Sequence, residues 1–390
     1  MLKNYIDFFD DIFEKKNGVP EFYSSISYSK NDYLLFDSNN ENSSTDKNIF
    51  FSLKYVPNYL SLKLKKEHQY VTRKIYDVKG YSIYLNGINS IDDYLQTQFK
   101  SKKRGSIRKY IKRLESSFNI RYKMFFGDIE DGEYDFVMQS LRKMLDDRFN
   151  QRQGTDIYKK DWAKFKNIII GLIKEKKASL FVVFNENEPI AITANYHFEN
   201  KIFFYGIPSY DIDYSSFRLG HIVIHKELEW CIENNYLVFD TGRGDFDYKK
   251  KWCNHIYNFD YHLIYKKKSL LAFLLFQKEY FKVNLINYLK AKRINVLVFK
   301  LKNLLRKKED VKIKEVVNKY ELLNVDKTDN YDLSNEINQI DKRCLRIKKI
   351  INDFLYLNVE HISNIKVYSI EDDRKFLITG KNKNQLIVVL

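Results

Sequence analysis

Two short stretches carry side chains whose types and spacing could do chemistry. Asp240-Thr-Gly-Arg-Gly-Asp-Phe-Asp-Tyr-Lys249 puts carboxylates, Arg243, Asp245, Tyr248 and Lys249 into one turn-rich segment. It follows the apolar run Tyr236 to Phe239, so both signs of charge crowd at a strand end, where reactive groups are often held. The second stretch is Ser215-Ser-Phe-Arg-Leu-Gly-His221. Behind it Ile222, Leu228, Trp230 and Ile232 recur at helical spacing, which predicts a helix opening near Phe217 and closing near Asn234-Asn235. A helix amino end offers unbonded N–H groups and the positive end of a dipole. The backbone from Arg218 to His221 is therefore a candidate anion cradle, with the Arg218 guanidinium as a further phosphate partner.

Two other signals are weak. His221 and His225 stand four apart on one helix face, but Ile222 follows His221 and no third ligand is in view, so no metal is expected. Cys231 has no readable histidine partner and reads as core.

The elements around these stretches can be read from periodicity. Ile202 to Gly206 suits a strand, so the order is strand, loop, helix, strand, polar turn. Upstream, Leu180 to Phe184 and Ile190 to His197 make a hairpin around Asn185-Glu-Asn187. Phe136 to Phe149 and Asp161 to Glu175 are helical, and Ile256 to Tyr265 is a closing strand. The N-terminal 60 residues read as one helix with Ile6, Phe9 and Phe13 on a face, then strands at Tyr33 to Phe36 and Ile49 to Leu53, with a polar loop from Asp37 to Asn48 between them. Tyr81 to Leu85 is another strand. At the C-terminus a helix over Leu333 to Leu357 precedes a three-strand meander.

The stretch from about residue 90 to 260 resembles the GNAT-type acyltransferases. The similarity is to the branch related to cellulose-biosynthesis acetyltransferases and, more distantly, to the Fem-type aminoacyltransferases. Phe217-Arg-Leu-Gly-His221 and the Asp240 to Lys249 string carry it, supported by Glu188-Pro-Ile-Ala191 and Ala194-Asn-Tyr-His197. The phosphate loop of such proteins carries more glycine than Ser215 to His221 does, and Cys253 stands where they commonly have glycine. The resemblance implies an α+β fold of tandem GNAT-like domains with mixed sheets flanked by helices. The divisions are an N-terminal half over 1–160, a catalytic half over 161–265, a basic helical segment over 266–310 and a small helix-and-strand module over 311–390.

It also implies the chemistry. An acyl group passes from acyl-CoA, acetyl-CoA being the expected cosubstrate, to an amine on a sugar or cell-envelope precursor. Phe217, Arg218, Leu219, Gly220 and His221 would hold the CoA phosphates, and the backbone near Tyr205 and Gly206 would donate to the oxyanion. Tyr248 would protonate the leaving thiolate, or else it is a buried tyrosine fixing a helix to the sheet. Asp245 would be the base or an ammonium anchor, or else a helix cap. Arg243 and Lys249 would hold an anionic acceptor or pair with Asp240 and Asp245.

Composition bounds the partners. Lys and Arg number 67 against 51 Asp and Glu, a net +16 in 390 residues, which suits an anionic partner such as a phosphorylated acceptor or a membrane surface. Lys100 to Lys123 holds ten basic residues and one acid, Glu115, on a helix with Ile107, Ile111 and Leu114 as its apolar stripe: a grip on phosphate, or a solvated face. Lys266 to Lys308 holds thirteen basic residues and one acid, Glu279, interleaved with Phe273, Phe276, Phe281, Leu285 and Leu289. That segment is either a helix pair lying on an anionic membrane or a hairpin packed on the domain. Cys231, Cys253 and Cys344 show no paired spacing, and no stretch is long and apolar enough to span a bilayer, so the chain reads as cytoplasmic or peripheral to the inner membrane face. The rival readings are a Fem-type transferase fed by aminoacyl-tRNA, the one role foreseen for a nucleic acid, and a non-catalytic polyanion- or membrane-binding protein.

Overall fold

The computed structural model describes residues 3–13, 19, 20, 22–38, 48–152, 160–292, 320–325, 328, 331, 333–337, 342–371 and 373–390. From the N-terminus run β1 (Lys3–Asp7), α1 (Phe8–Phe13), β2 (Tyr23–Tyr28), β3 (Tyr33–Asp37), β4 (Phe50–Pro57), β5 (Leu60–Leu64) and β6 (Tyr70–Tyr84). Then come α2 (Ile91–Gln98), α3 (Ser101–Ser117), β7 (Ile120–Phe125), α4 (Asp131–Arg152), α5 (Trp162–Lys174), β8 (Ala178–Asn185), β9 (Glu188–Phe198) and β10 (Ile202–Tyr210). A 3-10 turn over Ile212–Phe217 leads into α6 (Leu219–Glu233), followed by β11 (Val238–Arg243), α7 (Asp247–Trp252), β12 (His255–Lys266) and α8 (Leu270–Ala291). The last elements are β13 (Tyr320–Val325), α9 (Lys342–Asn358), β14 (Lys366–Ile370), β15 (Lys375–Thr379) and β16 (Asn384–Val389).

The fold is α+β, with mixed sheets flanked by helices. It forms two compact units that interleave along the chain. One takes residues 1–86, 196–205 and 235–313; the other takes 87–195, 206–234 and 314–390.

In the first unit the strands run β1-β4-β12-β6-β11, with the first residues of β10 beside β11. β12 is antiparallel to both β4 and β6, and β11 is antiparallel to β6. β10 joins β11 in parallel from Ile202↔Val238 to Phe204↔Asp240. A small sheet, β3-β2-β5, completes the unit's strands. Aromatic rings fill the core: Phe9 meets Tyr196 edge-on at 4.9 Å and Phe204 at 5.5 Å. Such edge-to-face packing suits ring quadrupoles. Helix α8 lays one stripe, Ala272, Phe276, Glu279 and Val283, against β12, and Phe276 joins Phe50 and Leu263 in a buried cluster.

In the second unit the order is β7-β8-β9, followed by the later residues of β10. β8 is buried along nearly its whole length, as its continuous Leu180-Phe-Val-Val-Phe184 run foretells. Helices α3 and α6 pack together, and α9 packs on α3 and on the 3-10 turn. The C-terminal sheet has the order β13-β16-β15-β14.

Several boundaries differ from those read in the sequence, each for a local reason. The chain opens on strand β1, parallel to β4, and the helix is confined to Phe8–Phe13. Ile6 therefore lies on a strand. The expected start of α6 at Phe217 falls inside the 3-10 turn, because Arg218 takes a left-handed conformation (φ 59°, ψ 43°) that breaks the helix there. β11 runs on through Asp240 to Arg243, where a polar turn was expected, since β6 pairs with it past a bulge between Asp240 and Gly242. β6 itself starts at Tyr70, far before the expected strand at Tyr81. α9 begins at Lys342, and β13 adds a fourth strand to the expected meander. The expected loop falls largely on residues 39–47, outside the described residues, as does the basic run beyond Lys292. Among the described residues no helix is long and apolar enough to cross a membrane.

Candidate active site

The predicted site residues divide between the two units. Tyr205, Arg243, Asp245, Tyr248 and Lys249 belong to the first; Gly206 and Phe217 to His221 belong to the second.

In the first unit the turn after β11 is built around a buried carboxylate. Asp240 is 1% exposed. Its Oδ2 accepts from the hydroxyls of Tyr59 (2.5 Å) and Tyr257 (2.6 Å), and its Oδ1 accepts from the amide of Gly242 (2.6 Å). Burial raises its pKa against the pull of these three bonds. Thr241 donates its hydroxyl to the carbonyl of Tyr81 at 2.8 Å. Gly242 (φ 70°) and Gly244 (φ 104°) then bend the chain through the left-handed region. At Gly244 an added Cβ would also meet the Phe246 ring at 2.7 Å.

Lys249 holds this bend from the other side. It is 3% exposed, and its ammonium donates to the carbonyls of Thr241, Gly242 (3.2 Å) and Arg243 (2.7 Å). Burial lowers its pKa to about 8. Of the roles expected for Lys249, its three N–H bonds go to backbone carbonyls and brace the turn, while the charge of Asp240 nearby acts against the effect of burial on the ammonium.

Asp245 is exposed and accepts from the Tyr81 hydroxyl at 2.5 Å, with the Lys250 ammonium 3.0 Å away. Those two bonds hold its carboxyl below the usual range, so it is ionised at neutral pH. The same bond to Asp245, with burial, pushes the Tyr81 hydroxyl up to about 12. Asp245 does not cap α7: the cap position is Phe246, whose side chain makes no capping bond. Tyr248, on the first turn of α7, is half-buried and stacks on Phe246 at 6.1 Å and 21°. Arg243 is exposed at the strand end, its guanidinium 4.3 Å from the centre of the Tyr55 ring. Tyr205 is buried against Phe239 at 5.6 Å.

In the second unit the start of α6 is framed by α3 and α9. Phe217 is buried between Phe118 (5.4 Å) and Tyr356 (5.3 Å), and Leu219 is buried as well. Arg218 is exposed, in the left-handed conformation that glycine would adopt without penalty. The amide of Arg218 bonds to the Ser215 carbonyl at 3.2 Å and that of His221 to the Arg218 carbonyl at 2.9 Å. The amides of Leu219 and Gly220 open the helix, where no intrahelical acceptor exists. The His221 ring stacks on Tyr110 of α3 at 5.9 Å and 13°, so the basic helix lies beside the cradle. His225 is buried, and burial lowers its pKa to about 4. Among the described residues no cluster of His, Cys, Asp and Glu could hold a metal.

The amide of Gly206, expected to face the oxyanion, donates to Asn195 Oδ1 at 3.3 Å. Asn195 in turn donates to Glu227 Oε1 at 2.7 Å, which also accepts from Thr193. Glu227 is fully buried, its Oε2 has no hydrogen-bond partner among the described residues, and burial raises its pKa to about 8. This relay was missed in the sequence, as were Tyr59, Tyr81 and Tyr257. Glu227 had left a trace, an acid at the spacing of Val223 and Cys231 on the core face of α6. The tyrosines had left none, because only the folded chain brings Tyr59 and Tyr257 to Asp240 and Tyr81 to Asp245.

The chain is similar to known proteins over part of its length. Residues 101–250 match the acetyltransferase (GNAT) domain family. No curated protein matches. Among solved structures, FemX is similar at 11% identity, with 56% of this chain and 72% of that one covered and a TM-score of 0.40. L-PGS from Bacillus licheniformis is similar at 13% identity over 59% of this chain and 71% of that one, with a TM-score of 0.34. A tandem GNAT protein from the clavulanic acid biosynthesis pathway is similar at 8% identity over 56% and 65%, with a TM-score of 0.28. The matched residues 101–250 include both the start of α6 and the turn after β11, so the likeness to the acetyltransferase (GNAT) domain family reaches both candidate stretches.

Proposed function

We propose that the chain transfers an acyl group, acetyl in the first instance, from acyl-CoA to an amine on a sugar or cell-envelope precursor. The observation that carries the donor assignment is the opening of α6. Its first amides, the exposed Arg218 and the adjoining basic helix α3 together offer charge and directed N–H groups to a diphosphate. The acceptor class rests on the resemblance carried by Asp240 to Lys249.

Acyl transfer needs the acceptor amine neutral and close, the developing oxyanion stabilised, and a proton for the departing thiolate. Asp245 is an ionised carboxylate held by Tyr81 and Lys250. Its depressed pKa favours orienting the acceptor's ammonium over removing a proton from it. Arg243, exposed at the strand end, suits an anionic group on the acceptor. Tyr248 supplies the proton to the thiolate sulfur as the carbon–sulfur bond breaks and is reprotonated from solvent, which also takes the two protons that the nitrogen sheds, one before attack and one as the amide forms. The amide of Gly206 serves the oxyanion once it is drawn from its long bond to Asn195.

Turnover of acetyl-CoA with a panel of amino sugars tests this. Tyr248→Phe and Asp245→Asn should each lower kcat at least about tenfold, a loss of about 1.4 kcal/mol in transition-state binding, while leaving CoA affinity within about twofold. Full turnover in both variants would refute the roles. Binding of aminoacyl-tRNA in place of any CoA would move the chain to the Fem-type reading.

A further inference from the structure

Helix α8 has two apolar faces, and the fold uses one. Its inner stripe is buried against the sheet, and polar bonds fix it at intervals. The buried Glu279 accepts from the Tyr5 hydroxyl (2.9 Å) and pairs with Lys282 (3.0 Å); Asn287 donates to the Tyr76 carbonyl (2.6 Å); Lys290 pairs with Asp77 (2.9 Å). These contacts set the helix's rotation about its axis. The opposite side carries Leu270 (75% exposed), Leu274 (55%), Phe281 (71%), Leu285 (45%) and Tyr288 (58%). At 3.6 residues per turn these five fall within an arc of roughly 60°, centred opposite the middle of the buried stripe, along a helix about 33 Å long.

The charges on α8 are one-sided too. Its acid, Glu279, is buried; Lys282 and Lys290 pair with Glu279 and Asp77, whereas Lys278 is exposed beside the outer ridge and Lys267, Lys268 and Lys292 flank the two ends. A solvated helix face would carry both signs and few large apolar groups. Outward leucines and aromatics rimmed by lysine alone match a lipid surface with anionic headgroups, into which the apolar ridge dips while the lysine stems reach for phosphate.

We infer that the outer face of α8 docks the protein on an anionic bilayer, lying in the plane of the interface. The docking does not depend on which acyl donor the enzyme uses. The full-length protein is mixed with vesicles of phosphatidylcholine alone or with one-third phosphatidylglycerol, and the bound fraction is measured by flotation. The anionic vesicles should bind at least tenfold more strongly, and raising the salt from 50 to 500 mM should weaken binding severalfold. Phe281→Glu with Leu285→Glu should reduce binding at least tenfold. Phe281→Trp, a conservative change that keeps the fold, should bind as wild type does, with its emission shifted to the blue on anionic vesicles. Equal binding to neutral vesicles, no binding, or an unshifted tryptophan would overturn the inference. So would a salt-insensitive dimer that the double substitution dissociates, because the face would then belong to a second copy.

Discussion

Asp240 and Lys249 sit at the centre of the turn that the family match reaches, and both are buried. Each is used on structure: the carboxylate by two tyrosines and an amide, the ammonium by three carbonyls. A buried polar group that loses its partner costs about 1–3 kcal/mol. Lys249→Met should therefore cost roughly 3 kcal/mol in urea unfolding and loosen Arg243 and Asp245 together. A change within about 0.5 kcal/mol would show that the ammonium is not bracing the turn. Glu227 gives a pH signature. Its pKa rises from 4.5 to about 8 on folding, so the unfolded chain ionises there first. Stability from this group is complete below about pH 4.5 and is lost as pH climbs toward 8, at up to about 1.4 kcal/mol per unit. Urea midpoints measured at pH 5, 6.5 and 8 should fall across that window in the wild type. In Glu227→Gln the fall should be distinctly smaller.

At the scale of elements, the opening of α6 depends on Arg218 and on α9. The left-handed backbone costs a non-glycine residue about 1–2 kcal/mol, and glycine gives back about 0.4–1 kcal/mol through the freer unfolded chain. Arg218→Gly should accordingly leave stability level or slightly raised while weakening CoA binding ten- to a hundredfold, the worth of a charge-assisted bond. A loss of stability instead would mean that the side chain packs and does not bind. α9 steadies the same turn: Ser216 bonds to Asp353, Asn352 donates to the Asp213 carbonyl at 3.1 Å, and Lys348 bridges Glu188 and Asp211. These contacts give the C-terminal module a task that its residues alone did not disclose. What was legible in the chain was periodic: β8, β9, α4, α5, the core of α6 and the strands β14 to β16 follow from apolar spacing. What was not legible depended on tertiary pairing. β6 is polar along much of its outer side, so only its apolar end at Tyr81 showed. The shortage of glycine before α6 looked like a departure from the phosphate loop, yet Arg218 takes the conformation a glycine would. Asp245 looked like a helix cap because spacing cannot foretell that Tyr81 stands opposite it.

For the molecule as a whole, part of the excess of 16 positive charges gathers on two elements. In one unit the basic helix α3 adjoins the start of α6. In the other, Lys278 and the lysines at the two ends of α8 adjoin its outward apolar face. Association with CoA and with anionic vesicles should both weaken as salt rises, but substitutions on α8 should leave CoA affinity untouched. The most direct test of the central claim is calorimetric titration of the full-length protein with acetyl-CoA, beside Arg218→Gly. The account predicts saturable one-to-one binding to the wild type and a ten- to hundredfold weaker isotherm for the variant. No heat with acetyl-CoA or with any longer acyl-CoA, or identical isotherms for the two proteins, would contradict it.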